Sequence, residues 1–249
     1  MFVEPAIINL MPRLIHINCD MGEGLGNEHL FMPYISACNI ACGGHAGDAE
    51  TIHRVVSLAK KYGVRIGAHP SYPDRENFGR ISMEVSKENL LETIQKQISL
   101  IENVCKSLDV EIQHIKPHGA LYNDISKEPA LVNYFLNAIE PYKKRYKLYV
   151  PDKSIVEKEA LRRPFNLVYE AFADRNYHDD LTLVSRKEKG AVLTNIDQIT
   201  QHIQRINNQG KVRTISGKEI PIKADTFCVH SDTENAVEIV KQIHAFFNR

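Results

Sequence analysis

The residues best suited to chemistry recur at matching places along this chain. Short apolar runs each deliver a polar side chain at or near their end. These are Asp20 after LIHINC, Asn39 in ACNIA, His69 after VRIGA, Lys116 and His118 after IQHI, Glu170 after LVY and His230 after TFCV. Further titratable groups stand in the turns that follow: Glu23 in MGEGLG, and His45 and Asp48 in GGHAGD. Imidazoles and carboxylates in one place can perform general acid–base hydrolysis. An Asp20/His45/His69 set is equally the donor set of a transition-metal site. Both chemistries stay open on residue types alone. There is no GxSxG, and none of the cysteines sits in a nucleophile motif. MGEGLG is neither GxGxxG nor a P-loop.

Each residue also has a plainer reading. Asp20 and Glu23 flank a tight turn, His45 can satisfy backbone groups, and Asp48 is a good helix N-cap. Lys116 closes an apolar run, where an unpaired ammonium is costly to bury, so it reads as a site residue. Asp174 and Arg175 read as a structural ion pair, with Arg175 also a candidate for substrate binding. His16, His29, His53, His114, His178, His202 and His244 read as structural or surface groups.

The elements that must position this set are legible around residues 36–80. Ala37–Ala41 is a short buried strand broken by Gly43–Gly44. Asp48 opens a helix whose apolar face is Ile52, Val55, Val56 and Ala59, and Gly63 ends it. Val64–Ala68 is the next strand, completing a βαβ unit of the kind that builds parallel sheets. Further strands are expected at Leu14–Asp20, Ile112–Lys116, Lys147–Val150, Leu167–Glu170 and Thr226–Val229. Helices are expected at Lys87–Leu108, Pro129–Ile139, Ile155–Leu161, Asp197–Asn208 and Glu234–Phe247, with a small hairpin over Val212–Ile222 and an irregular stretch at 178–195. Strands and helices alternate, which predicts an incomplete (β/α) barrel of about seven strands. In such barrels the C-terminal strand ends converge on one mouth.

The bulk composition narrows the function classes. Lys plus Arg number 31, as do Asp plus Glu, so no charge excess points to a nucleic acid or an anionic membrane surface. No apolar run reaches the roughly 18 residues of a membrane span. MFVEPAIINLMPR lacks the basic and apolar regions of a signal peptide. Five cysteines without a pattern read as reduced thiols of a cytoplasmic protein. Residues 1–13 read as an extension and 14–249 as one domain.

Six stretches taken in series resemble the LamB/YcsF family: INCDMGEG, NIACGGHAGD, GAHPSYPD with FGR, KPHGALYN, EAFADRNY and HSD. The likeness covers nearly the whole chain. Departures from the usual pattern are Cys19, Ile81 and Ser231. The resemblance implies a distorted (β/α)7 barrel of the glycoside hydrolase/deacetylase type. It also implies ATP-dependent 5-oxoprolinase activity, in which 5-oxo-L-proline, ATP and water give L-glutamate, ADP and phosphate. ATP would enter as cosubstrate with Mg2+, and 5-oxoprolinase subunits B and C are the expected partners. On this reading Asp20, His45, His69, Lys116 and His118 are catalytic. Asp20 or a histidine serves as base, Lys116 binds the substrate carboxylate or developing negative charge, and His118 protonates the ring nitrogen. Glu23, Asn39, Asp48 and Arg80 from the first half, with Glu170, Arg175, His230 and Asp232 from the second, are expected to bind substrate. No tightly bound catalytic metal is expected. Two rival readings are a metal-dependent deacetylase or amidohydrolase on the same barrel, and a non-catalytic protein that holds a ligand for its partners.

Overall fold

The computed structural model describes residues 14–248, so the expected extension at residues 1–13 lies outside the described residues. In chain order the elements begin with β1 (Ile17–Met21), α1 (Glu28–Phe31), β2 (Ala37–Ala41), α2 (Ala49–Tyr62) and β3 (Arg65–His69). They continue with α3 (Lys87–Ser107), β4 (Ile112–Ile115), α4 (Gly119–Asp124), α5 (Pro129–Ile139) and, after a 3-10 turn at Glu140–Tyr142, β5 (Lys147–Pro151). The last part holds α6 (Ile155–Arg162), β6 (Leu167–Phe172), α7 (Ile196–Gln209), the hairpin β7 (Lys211–Arg213) and β8 (Glu219–Pro221), β9 (Thr226–Val229) and α8 (Ala236–Phe247).

Seven parallel strands form a closed barrel in the order β1-β2-β3-β4-β5-β6-β9. The expectation of an incomplete barrel is therefore corrected. β9 pairs with β6 on one side and with β1 on the other, which leaves no free edge. β1 and β2 are buried at every residue, as strands covered on both faces must be. The barrel is irregular at β3–β4, where the register shifts between Ile66 and Gly67. Gly67 lies against the ring of His114, and a Cβ there would sit 2.1 Å from His114 Nε2. A side chain at Gly67 would expel that ring from the barrel interior.

Four of the helices start at a capping side chain, and the last, expected from Glu234, starts at Ala236. Asp48 Oδ1 accepts from Thr51 N at 2.8 Å, and Ser86, Ser154 and Asn195 cap α3, α6 and α7 in the same way. Gly63 and Gly210 end α2 and α7 in the left-handed conformation. Two short helices, α1 and α4, have too few residues to show a helical period and were not expected. α4 begins directly after His118, so KPHGALYN is strand, turn and helix start. β6 runs two residues further than its apolar run implied, which sinks Glu170 into the barrel instead of leaving it at the mouth.

The role of Asp48 is testable by denaturation. Asp48→Ala removes the acceptor for the α2 amide and lowers the urea midpoint of unfolding, whereas Asp48→Asn keeps an acceptor and the midpoint. Equal midpoints for the two variants would remove the cap from the account of α2.

Candidate active site

The site begins inside the barrel with a buried lysine. Lys116, 2% exposed, follows β4, and its ammonium donates to Asp20 Oδ1 at 2.9 Å and to Cys228 Sγ at 3.0 Å. Glu170 Oε1 lies 3.0 Å away as an ion contact off the hydrogen-bond direction, and Asn18 Oδ1 stands at 3.4 Å. Burial opposes the charge on Lys116, but the carboxylates of Asp20 and Glu170 outweigh it and hold its pKa well above the ordinary value. Burial opposes Asp20 as well. There His69 and the Lys116 ammonium prevail and hold the carboxyl well below its usual range.

A layer of neutral polar groups supports this ion pair from below. Asn39, opposite Asp20 in the β1–β2 register, gives one amide hydrogen to Asp20 Oδ1 at 2.8 Å and the other to Asn18 Oδ1 at 2.7 Å. His114 Nε2 donates to Asn39 Oδ1 at 2.7 Å, and Asn18 donates to Thr226 Oγ1 at 2.9 Å. Burial, then neighbouring charges including Lys116, keeps the His114 ring neutral. Asn39 thus positions Asp20 and does not itself reach the mouth.

Above Asp20 three imidazoles gather on one carboxylate. His69 Nδ1 lies 2.7 Å from the Lys116 carbonyl oxygen, which only accepts, so the proton sits on Nδ1. His118 Nε2 donates to the Phe78 carbonyl at 3.0 Å by the same logic. The Ser71 hydroxyl donates to the Tyr72 carbonyl and therefore accepts from His45 Nδ1 at 3.0 Å. The three remaining ring nitrogens all face Glu23 Oε1: His45 Nε2 at 3.1 Å, His118 Nδ1 at 3.4 Å and His69 Nε2 at 3.9 Å. His69 Nε2 also lies 3.0 Å from His118 Nδ1 and 3.5 Å from Asp20 Oδ2. The rings of His45 and His118 stack at 3.6 Å. Burial, then the charge of Asp20, raises the Glu23 carboxyl to about 7. Burial, then His69, lowers His45 to about 2, and burial with both neighbours lowers His118.

These imidazoles are held from behind. Gln97 of α3 clamps Ser71 through both its carbonyl and its amide, at 2.9 and 2.8 Å, and Ser71 holds His45. Phe78 and Gly79 take left-handed backbone angles, and Gly79 passes directly over the rings. A Cβ on Gly79 would lie 3.0 Å from His45 Cβ and 3.1 Å from His118 Cδ2.

The opposite wall comes from β6, β9 and the 178–195 stretch. Asp174 is fully buried and takes His230 Nδ1 at 3.0 Å, the His230 amide at 3.1 Å and the Thr233 hydroxyl at 2.6 Å. Burial works against its charge, but His230 and these donors lower its pKa to about 2. Asp174 therefore orients His230 and makes no pair with Arg175. Arg175 Nη2 donates to the Val184 carbonyl, and among the described residues no carboxylate lies within ion-pair distance of Arg175. At the rim, Asp232 bridges Arg80 and Arg186. Together the two walls bound a cleft of about 530 Å³, whose lining includes Asp20, His69, Lys116, His118, Arg175 and His230.

A sequence model described as the LamB/YcsF family matches residues 15–249. The chain belongs to the LamB/YcsF family. Among its relatives, the 5-oxoprolinase A subunit of Staphylococcus haemolyticus is 38% identical over 234 residues, spanning 92% of this chain and 94% of that protein. The Bacillus cereus protein of the same name is 35% identical over 241 residues, spanning 94% and 95%. The crystal structure of a lactam utilization protein from Thermus thermophilus superposes with a TM-score of 0.87 at 31% identity, covering 93% of this chain and 95% of the other. The seven-stranded barrel expected from the family resemblance is thus the observed fold.

Within this family member, the expected residues divide into three groups. Asp20, His69, Lys116, His118, Arg80, Arg175 and His230 line the cleft, and Glu23, His45 and Asp232 stand directly against them. Asn39 and Glu170 lie beneath, where they hold Asp20 and Lys116. Asp48 is an exposed helix cap outside the cleft lining, in keeping with its plainer reading. The substrate-binding role expected for Asn39 and Asp48 is not one their positions offer, whereas Glu170 also lines a cavity that adjoins the cleft at Tyr122 and Phe172. The sequence pattern did not single out Asn18, Ser71, Gln97 or Arg186. Ser71 follows His69 by two residues, and that proximity was the available signal.

The carboxylates also change what Lys116 can do. Its charge is already matched by Asp20 and Glu170, so the expected role in binding substrate anion is replaced by a role inside the barrel. Lys116→Met strands two buried carboxylates and should cost about 3–5 kcal/mol of stability in urea denaturation. Adding Glu170→Gln to that variant removes one stranded charge and should restore part of the loss. Unchanged stability of Lys116→Met would remove the ion pair from the core account.

Proposed function

We propose that this chain is the lactam-opening component of an ATP-dependent 5-oxoprolinase, which converts 5-oxo-L-proline to L-glutamate in the cytoplasm together with subunits B and C. The observation that carries this reading is the full-length likeness to relatives named as the 5-oxoprolinase A subunit. The cleft chemistry is consistent with it. A five-membered lactam bearing a carboxylate needs a cation for that carboxylate and a group to move protons at the amide. Arg175, without a carboxylate partner in the cleft wall, supplies the first. His230, oriented by Asp174 as in other carboxylate–histidine pairs, supplies the second.

The amide is resonance-stabilised, which gives ATP its purpose. Phosphorylation of the lactam oxygen makes the ring carbon electrophilic. His230 takes a proton from water as it adds and returns it to the ring nitrogen as the C–N bond breaks. The acyl phosphate left behind hydrolyses to L-glutamate and phosphate. Asp20, kept ionised by Lys116, orients the water. The ring N–H of His118 is committed to the Phe78 carbonyl, so His118 is not the proton donor. The chain carries no P-loop, so Mg2+-ATP is handled at least partly by the partner subunits.

The test is glutamate release from 5-oxoproline and ATP. The purified chain alone should give little, and reconstitution with subunits B and C should restore turnover. His230→Ala in the complex should lower turnover by about 100-fold or more, in the range of lost acid–base catalysis. A complex with no ATP-coupled glutamate release would overturn the reading. Near-normal turnover of His230→Ala would overturn the proton-transfer assignment.

A further inference from the structure

The four groups above Asp20 present a physical problem of their own. Once the ring protons are placed on His45 Nδ1, His69 Nδ1 and His118 Nε2, the facing atoms are three nitrogen lone pairs and a carboxylate oxygen. All four donor atoms lie within 4.8 Å of one another, and His69 Nε2 and His118 Nδ1 approach to 3.0 Å. Lone pairs so arranged repel one another, and a cation at their centre turns each into a bond. We propose that Glu23, His45, His69 and His118 bind one divalent transition-metal ion, with Zn2+ the best match to three imidazoles and a carboxylate.

The spacing and the surroundings fit. Four ligands at about 2.0–2.1 Å from a tetrahedral ion stand about 3.3 Å apart. Four of the six separations here are 3.0, 3.1, 3.4 and 3.9 Å, close to that spacing, and on binding the stacked rings of His45 and His118 tilt apart to aim both lone pairs at one ion. Each imidazole is oriented through its other nitrogen, by the Lys116 carbonyl, the Phe78 carbonyl or the Ser71 hydroxyl, which is the arrangement metal-binding histidines use. The ligands come from the ends of four consecutive barrel strands, so one ion would tie together the turns that follow them. A second donor group, Asp20, Cys228 and His230, does not qualify. The Lys116 ammonium already stands between Asp20 and Cys228.

Asp20, His45 and His69 beside a lysine would make a poor site, because the ammonium repels a cation. The fold exchanges Asp20 for Glu23, adds His118, and directs the lysine to Asp20 Oδ1 and Glu170. The site therefore gains a donor and loses the repulsion.

Metal binding is measured on the whole chain, without reference to its activity. Chelator-treated protein is titrated with Zn2+ by calorimetry and with Co2+ by visible absorption. The expected result is one ion per chain, a tetrahedral Co2+ spectrum, and a thermal midpoint that rises on Zn2+ addition. His118→Ala and the near-isosteric Glu23→Gln should each weaken Zn2+ binding by about 10-fold or more, and His230→Ala should leave it unchanged. Should His118→Ala not fold, Glu23→Gln decides. Failure of the wild-type chain to bind, or binding that is unaltered in Glu23→Gln and lost in His230→Ala, would overturn the proposal.

Discussion

The structure depends on one buried cation. Inward-facing positions of parallel barrels are usually filled by layers of aliphatic side chains. Here Lys116 occupies that space with Asp20 and Glu170 against it. None of the three is tenable alone in a low-dielectric interior, since an uncompensated buried charge costs several kcal/mol. The neighbouring Asn18, Asn39, His114 and Thr226 complete the arrangement with neutral dipoles, each donor meeting an acceptor. Lys116 acts through its main chain too. Its carbonyl accepts from His69 Nδ1, so the residue that fixes Asp20 also fixes the imidazole above it.

From this floor the mouth rises as two unlike walls. The wall from β1 to β4 is made of imidazoles and Glu23, packed edge to face and ring on ring, with little access to water. The wall from β6 and β9 carries the Asp174–His230 pair and the arginines, and it opens to the cleft. The first wall is rigid because its backing is rigid: Gln97 on Ser71, Gly79 over two rings, and main-chain carbonyls on two of the three imidazoles. The second wall takes part of its lining from the irregular 178–195 stretch, tied down by Arg175 to Val184 and by Arg186 to Asp232.

Much of this was legible in the sequence, for identifiable reasons. Strand ends show as apolar runs, six of which deliver a polar residue at or near their end, and together they predict both a barrel and a mouth. Asp48, Ser86, Gly63 and Gly210 mark helix ends by local rules that tertiary packing did not override. What the sequence could not show is which strand-end residue points where. Asn39 and Glu170 look equivalent to Asp20 and His230 in a linear reading, yet each strand runs two residues past them, which places them beneath the site. Pairings across the chain were hidden for the same reason. Asp174 stands next to Arg175 in sequence, but it meets His230, 56 residues away. Family motifs located the histidines; only the placement of their protons shows that their lone pairs converge.

The barrel closes by joining its first strand to its last. Asn18 of β1 bonds Thr226 of β9 across 208 residues, and the β1–β9 ladder spans a similar separation. A growing chain therefore carries β1 with an unpaired edge until β9 has been made. Contacts of such sequence separation form late, since the loop entropy must be overcome before they stabilise anything. Asp20 and Lys116 are likewise 96 residues apart, and neither is protected from water before the barrel is whole. The nascent chain is thus exposed, over the 208 residues from Asn18 to Thr226, to edge-to-edge pairing with its neighbours. That exposure ends in one step, with the arrival of four residues, Thr226–Val229.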